Sequence, residues 1–187
     1  MDVTIMSGIP GSGKSTLARK LQSECGLELT TIVSADAYFE RDGVYKFDPS
    51  KRTEAHAACF RAFLAAIRRD DGHVIVDNTN TEAWEIAPYY LAAQALGANV
   101  RIMRVTCGVN DAFARQVHDV PFLAFRALVD QFHAQDVKPW WNVAYVDQGP
   151  VGGSLTIPQP VATGWVTDSP ERLRYLGFSR RDGTVRL

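Results

Sequence analysis

A chain of 187 residues with 46% apolar and 22% charged side chains is long enough to fill one core and has the composition of an ordinary globular domain. Its net charge of −1 excludes a global field that would advertise a nucleic-acid partner, although a local groove can be basic on a neutral protein. Cys25, Cys59 and Cys107 lack zinc spacing or the look of a disulfide framework, no apolar run spans a bilayer, and no charged-then-apolar leader precedes the first strand; the expectation is a cytoplasmic protein with free thiols.

Residues 3–6 read as a short strand. Gly8-Ile9-Pro10-Gly11-Ser12-Gly13-Lys14-Ser15, followed by Thr16, is then a full G-x-x-x-x-G-K-[ST] phosphate-binding loop. Its glycines let several backbone N–H groups turn toward one anion. Lys14 reaches β- and γ-phosphates in such a loop, and the Ser15 hydroxyl sits on Mg²⁺. A helix with Leu17 and Leu21 follows and ends near Gly26, so its N-terminus adds a positive end to the same place.

Residues 29–33 are a β-branched run and read as the second strand, followed by Ser34-Ala35-Asp36. An acid there faces the same edge as the phosphate loop and is placed to take a proton from an attacking hydroxyl, or it caps a turn. Residues 37–50 are polar and read as irregular, with Asp42-Gly43 and Asp48-Pro49 as turn signals. Residues 51–69 form a helix with apolar positions at Ala55, Ala58, Cys59, Phe63 and Ile67. Arg52 and His56 lie one turn apart on it, either facing an acceptor or packing as ordinary helix residues.

Residues 74–76 are a wholly apolar strand, as a central parallel strand should be. Asp77 after it follows the Walker-B pattern of a Mg²⁺ carboxylate. Asn80 contacts an acceptor or caps the next helix, over 81–96, where Trp84 either stacks on a base or packs on the rim. A strand covers 100–105. Two helices, 111–117 and 121–134, fall within a small lid at about 108–135, and Arg115 is placed either to stabilise a migrating phosphoryl group or in a surface ion pair. His118 reads as structural. A last strand covers 143–146.

Strands alternating with helices give an α/β domain: a five-stranded parallel sheet with helices on both faces and a helical lid, the P-loop kinase fold. It occupies residues 1–147, with 148–187 an appendage on the same domain that ends in a short helix at about 170–176. The cluster Arg172, Arg174, Arg180, Arg181 and Arg186 in that appendage is either a solvated face or a phosphate-contact surface.

The phosphate loop, Ser34-Ala35-Asp36, Asp77-Asn78-Thr79-Asn80, the run through Trp84 to Tyr89, and the segment Arg115 to Pro121 together resemble the polynucleotide-kinase-like P-loop kinases, the branch of phage 5′-polynucleotide kinases and their relatives. The resemblance covers residues 1–147. It implies transfer of the ATP γ-phosphate to a hydroxyl on a nucleic acid, DNA ahead of RNA. Asp36 would be the general base; Lys14 and Arg115 would stabilise the transferring group. Gly11, Ser12, Gly13, Lys14, Ser15, Thr16 and Arg115 would bind ATP, and Ser15 with Asp77 would manage Mg²⁺. Three residues after the catalytic acid the phage enzymes carry an arginine that grips the acceptor's phosphate. Phe39 stands there in this chain, leaving Arg41 or Arg52 to substitute. A 5′-OH end is set slightly ahead, as the family's commoner acceptor, of the hydroxymethyl group of 5-hydroxymethyluracil in DNA, which Phe39 would suit. A small-molecule nucleoside, sugar or nucleotide-sugar kinase is the alternative.

Overall fold

The computed structural model describes residues 1–26, 29–69 and 71–149, together with the paired strands β8 (Arg180–Arg181) and β9 (Thr184–Val185). The helix expected over 170–176 and most of the expected appendage lie outside the described residues.

Five strands form one parallel sheet: β1 (Asp2–Ser7), β2 (Thr30–Val33), β5 (His73–Val76), β6 (Asn99–Thr106) and β7 (Val143–Asp147), in the order β2-β5-β1-β6-β7. The central strand β1 pairs with β5 and β6 on its two sides. Because all five run the same way, the residues after β1, β2 and β5 emerge at one edge, where ligands of such sheets bind.

Alternation of side chains sends each strand's residues to two different cores. Val3, Ile5, Val74, Val76, Val100 and Ile102 pack against helices α2 (Arg52–Arg69) and α3 (Ala83–Ala95). Met6, Ile75, Met103, Val105 and Val146 pack against Leu17, Ala18 and Leu21 of α1 (Lys14–Cys25). A third cluster joins Ile9 of the phosphate loop to the expected lid, where α4 (Val109–Arg115) and α5 (Phe122–Ala134) contribute Ala112, Phe125, Val129 and Phe132. The lid helices thus touch the loop directly.

The structure departs from expectation in the segment read as irregular. Residues Asp36–Tyr38 form a 3-10 turn, and Glu40–Arg41 (β3) pairs antiparallel with Val44–Tyr45 (β4). Asp42 and Gly43, both at positive φ, make the reversal. Phe39, expected against an acceptor, is instead a core residue, 7% exposed. The 3-10 turn drives its ring inward, where Tyr38, Tyr45 and Phe47 meet it edge-on. Helix α3 runs through Pro88 without a break and begins with a reciprocal capping box between Glu82 and Glu85.

Candidate active site

The phosphate loop is pinned at its start, where the Gly8 N–H donates to the Thr79 carbonyl beyond β5 at 2.8 Å. Gly11 and Gly13 lie at φ 73 and 92, values that side chains resist. Gly13 is the N-cap of α1 and has no side-chain cap. The first-turn amides of α1 are therefore free to meet an anion. Ser12 is fully buried in the loop, and its hydroxyl has no hydrogen-bond partner. Thr16 is exposed in the first turn of α1. Gln148, after β7, lies against Gly13 from outside.

Lys14 is 7% exposed and donates from Nζ to the Ile9 carbonyl at 2.9 Å. Burial lowers its pKa to about 8, against the pull of Asp77 and Asp36. The two acids thus act on one ammonium group from the ends of different strands. Asp77 follows β5 directly, and its N–H donates to the Val33 carbonyl at 2.9 Å. Burial pushes the Asp77 carboxyl above the usual carboxylate range, while Ser15 and Lys14 beside it pull the other way. Its Oδ1 is buried without a hydrogen-bond partner.

A buried, orphaned carboxylate oxygen beside a serine hydroxyl fits a hydrated divalent cation. Mg²⁺ takes few protein ligands, with substrate phosphates and water completing its shell. Among the described residues no group of three or more His, Cys, Asp or Glu side chains forms a self-sufficient metal site. The pair Ser15 and Asp77 thus suits a cation that arrives with a nucleotide.

Asp36 is exposed at the start of the 3-10 turn. Its segment is tied to β5 by Asn78, whose Oδ1 accepts the Ala35 N–H at 2.8 Å. Among the described residues two side chains meet the Asp36 carboxylate. The Tyr45 hydroxyl donates to Oδ1 at 3.1 Å, and His118 Nε2 stands 3.7 Å from Oδ2. Neither was expected there. Tyr45 becomes visible only once Asp42-Gly43 is read as a hairpin reversal, since pairing Glu40 with Tyr45 folds it back beside Asp36.

Arg115 ends α4, with its Nε donating to the Asp111 carbonyl at 3.2 Å and one buried terminal nitrogen left without a partner. The half-buried Cys107 thiol feels both Arg115 and Lys14, so the arginine lies at the loop's lid side. Asn80 is not at an acceptor surface and does not cap α3. It is 2% exposed, and its Nδ2 donates to the Met6 carbonyl at 2.7 Å. It braces the end of β1 against the chain after β5. Arg41, Arg52 and Trp84 are exposed on β3, α2 and α3, the last at 67%, and His56 is half-buried on α2. None of the four is seen to meet the Asp36 carboxylate.

A family model described as an AAA domain matches residues 3–118. Human NEDD4-binding protein 2 is 39% identical over 92 residues, which make up 49% of this chain and 5% of that protein. The chain spans 53% of another curated relative, so it covers no more than about half of either. Among solved structures, the Pnkp1/Rnl/Hen1 RNA repair complex aligns with a TM-score of 0.58 and 20% identity, covering 71% of this chain and 44% of that one. A gluconokinase from Sinorhizobium meliloti 1021 aligns with a TM-score of 0.54 and 14% identity, covering 86% and 85%. These two likenesses are of fold. No helix among the described residues is long and apolar enough to cross a membrane. The family match takes in the phosphate loop, both acids and Arg115, and extends over more than half of the sequence: the chain belongs to the AAA_33 family, described as an AAA domain, and has the P-loop kinase fold.

Proposed function

We propose that this protein transfers the γ-phosphate of ATP to a hydroxyl on a nucleic acid, DNA ahead of RNA, with a 5′-OH end ahead of a modified-base hydroxymethyl group. The observation that carries the reading is that Asp36 and Asp77 are tied together at the sheet edge that bears an intact phosphate loop, through the Asp77 N–H on the Val33 carbonyl, the Ala35 N–H on Asn78 and the Gly8 N–H on the Thr79 carbonyl. One acid is buried with an orphaned oxygen; the other is exposed to an incoming acceptor. That division suits a metal carboxylate and a general base.

In this reading the amides of residues 11–16 hold the phosphates, and Lys14 leaves the Ile9 carbonyl for their oxygens. Arg115 brings its unpartnered nitrogen to the transferring group. Ser15 and Asp77 hold Mg²⁺, which when bound neutralises the phosphate oxygens. Asp36 accepts the proton of the acceptor hydroxyl as the oxygen–phosphorus bond forms and the bond to the β-phosphate oxygen breaks, releasing ADP. Arg41 and Arg52 are the candidate grips for an acceptor phosphate, and Trp84 and His56 the outer acceptor contacts.

The nucleic-acid acceptor is supported by the motif combination and by the fold shared with a chain of an RNA repair complex. Burial of Phe39 removes the side chain that most favoured a base pocket, which keeps the 5′-OH end first. The gluconokinase likeness, over 86% of the chain, favours a small-molecule acceptor as the second reading.

The test is label transfer from γ-labelled ATP and Mg²⁺ to three DNA acceptors. One has a 5′-OH end, one has blocked ends and internal 5-hydroxymethyluracil, and one has blocked ends and thymine. Label on the first alone is the expected result. Label on the second alone assigns a base-hydroxymethyl kinase. Label on none, with ATP binding intact, rejects DNA and moves the acceptor to RNA ends or a small molecule.

A further inference from the structure

Each oxygen of the exposed Asp36 carboxylate has one of the protein's own side chains beside it, and one of the two is hydrogen-bonded. The Tyr45 hydroxyl donates to Oδ1 at 3.1 Å. An attacking hydroxyl must donate to this carboxylate before it can give up its proton. His118 Nε2 stands 3.7 Å from Oδ2, and its ring meets that of Tyr45 at a tilt of 38° with centroids 4.4 Å apart. Two separate elements therefore meet over the carboxylate.

Each of these side chains is held from behind. Tyr45 ends the β3–β4 hairpin, which rests on Phe39 through an edge-on ring contact and through the Lys46 N–H donating to the Phe39 carbonyl at 3.0 Å. His118 sits in a loop closed by Gln116, whose side-chain amide both donates to the Val120 carbonyl and accepts the Val120 N–H, at 3.1 and 2.9 Å. Burial, then the charge of Asp36, raises the Tyr45 phenol well above its ordinary value. Tyr45 consequently stays a donor to Asp36 and does not replace it as a base.

We infer that Tyr45 is a gate on Asp36: its hydroxyl holds the place of the acceptor hydroxyl and keeps water from that place until an acceptor displaces it. The inference rests on the general-base role proposed above. Phosphoryl transfer to water is the side reaction any kinase must suppress. Water would give a proton to Asp36, its oxygen would bond the γ-phosphorus, and ADP would leave. A phenol already on Oδ1 takes that acceptor oxygen from water, whereas an acceptor bound through its remaining groups can push the hairpin aside.

The experiment measures ATP hydrolysis with Mg²⁺ and no acceptor, using the full chain. It compares wild type, Tyr45→Phe, Asp36→Asn and the double variant, with thermal melting as a check on folding. Phenylalanine keeps the ring on His118 and removes only the hydroxyl. Tyr45→Phe is expected to raise acceptor-free hydrolysis by about tenfold, the scale of one hydrogen bond to a carboxylate. The double variant should lose that gain. No rise, or a fall, in folded Tyr45→Phe overturns the gate. Phosphate from labelled ATP appearing on Tyr45 itself also overturns it, since the residue would then be an acceptor. A rise that persists in the double variant removes Asp36 as the base, a failure of the underlying reading that the other outcomes do not share.

Discussion

The Oδ1 of Asn78 accepts the Ala35 N–H at 2.8 Å, so the strand that delivers Asp77 also holds the segment that delivers Asp36. Asn78 is buried, and its Nδ2 points to the Tyr89 hydroxyl and the Cys59 sulfur at 3.4 and 3.5 Å. The acid proposed as base is thus located by a fixed amide. Asn78→Ala leaves the Ala35 N–H buried and unpaired, a cost of about 1–3 kcal/mol, and frees Asp36 to shift. Expected is a fall in kcat of about tenfold or more, since small misplacements are expensive in transfer reactions. The KM for ATP should hold, because the hydrogen bonds of Asn78 go to Ala35, Cys59 and Tyr89 and not to the phosphate loop. Steady-state kinetics checks this; a rise in that KM with kcat intact would remove the positioning role.

Lys14 gives a pH dependence. Its folded value of about 8 lies below the ordinary 10.5 because burial opposes the charge. The neutral form's contribution to stability is therefore present above 10.5 and is lost as pH falls toward 8, where the folded protein also takes the proton. A bound triphosphate favours the charged amine. ATP affinity should be flat below about pH 8 and weaken by up to about tenfold per pH unit above it. Calorimetry in two buffers of different ionisation enthalpy should show proton uptake on binding at alkaline pH. The same uptake in Lys14→Met would assign it to another group.

The sheet was legible because each strand is an apolar or β-branched run stopped by polar or glycine residues, as at His73–Val76. The phosphate loop, Asp36 and Asp77 were legible because their positions depend on the chain immediately before them. Tyr45 and His118 were not. Their meeting on Asp36 joins a two-residue strand, too short for any alternation to register, to a loop far along the chain. Phe39 departs from its expected place because the 3-10 turn between it and Asp36, which no sequence period marks, directs its ring to the core. Asn80 stands in a polar run where an acceptor contact or a helix cap is expected, and it is a brace only through the Met6 carbonyl at the end of another strand.

Asp77 separates stability from metal binding. Burial raises its pKa, so the contribution of this acid is fully present below 3.8 and is lost as pH rises through the folded value. Above the folded value its buried charge therefore weighs against the nucleotide-free fold. Asp77→Asn should raise the Tm of that form by roughly 2–4 °C, the shift that about 1 kcal/mol makes in a domain of this size. The same variant should lose most of the extra stabilisation that Mg²⁺ adds to ATP. Melting curves with ATP plus chelator and ATP plus Mg²⁺ decide it; an unchanged Mg²⁺ increment would take the cation away from Asp77.

Gly11 and Gly43 share a backbone conformation, with φ of 73 and 75, but not a neighbourhood. A Cβ at Gly43 would meet nothing within 4 Å, whereas one at Gly11 would stand 2.0 Å from the Ala112 carbonyl oxygen of α4. Both alanine variants carry the same left-handed strain, about 1–2 kcal/mol. Only Gly11→Ala must also push α4 off the loop, and Arg115 ends that helix. Gly43→Ala should lower the Tm modestly and leave ATP binding alone. Gly11→Ala should lower the Tm further, weaken ATP binding and reduce kcat together. The difference between the two variants then measures the close approach of lid to loop. Equal Tm losses with ATP affinity preserved in both would mean that α4 yields at no cost and that its contact with Gly11 does not hold Arg115 in place.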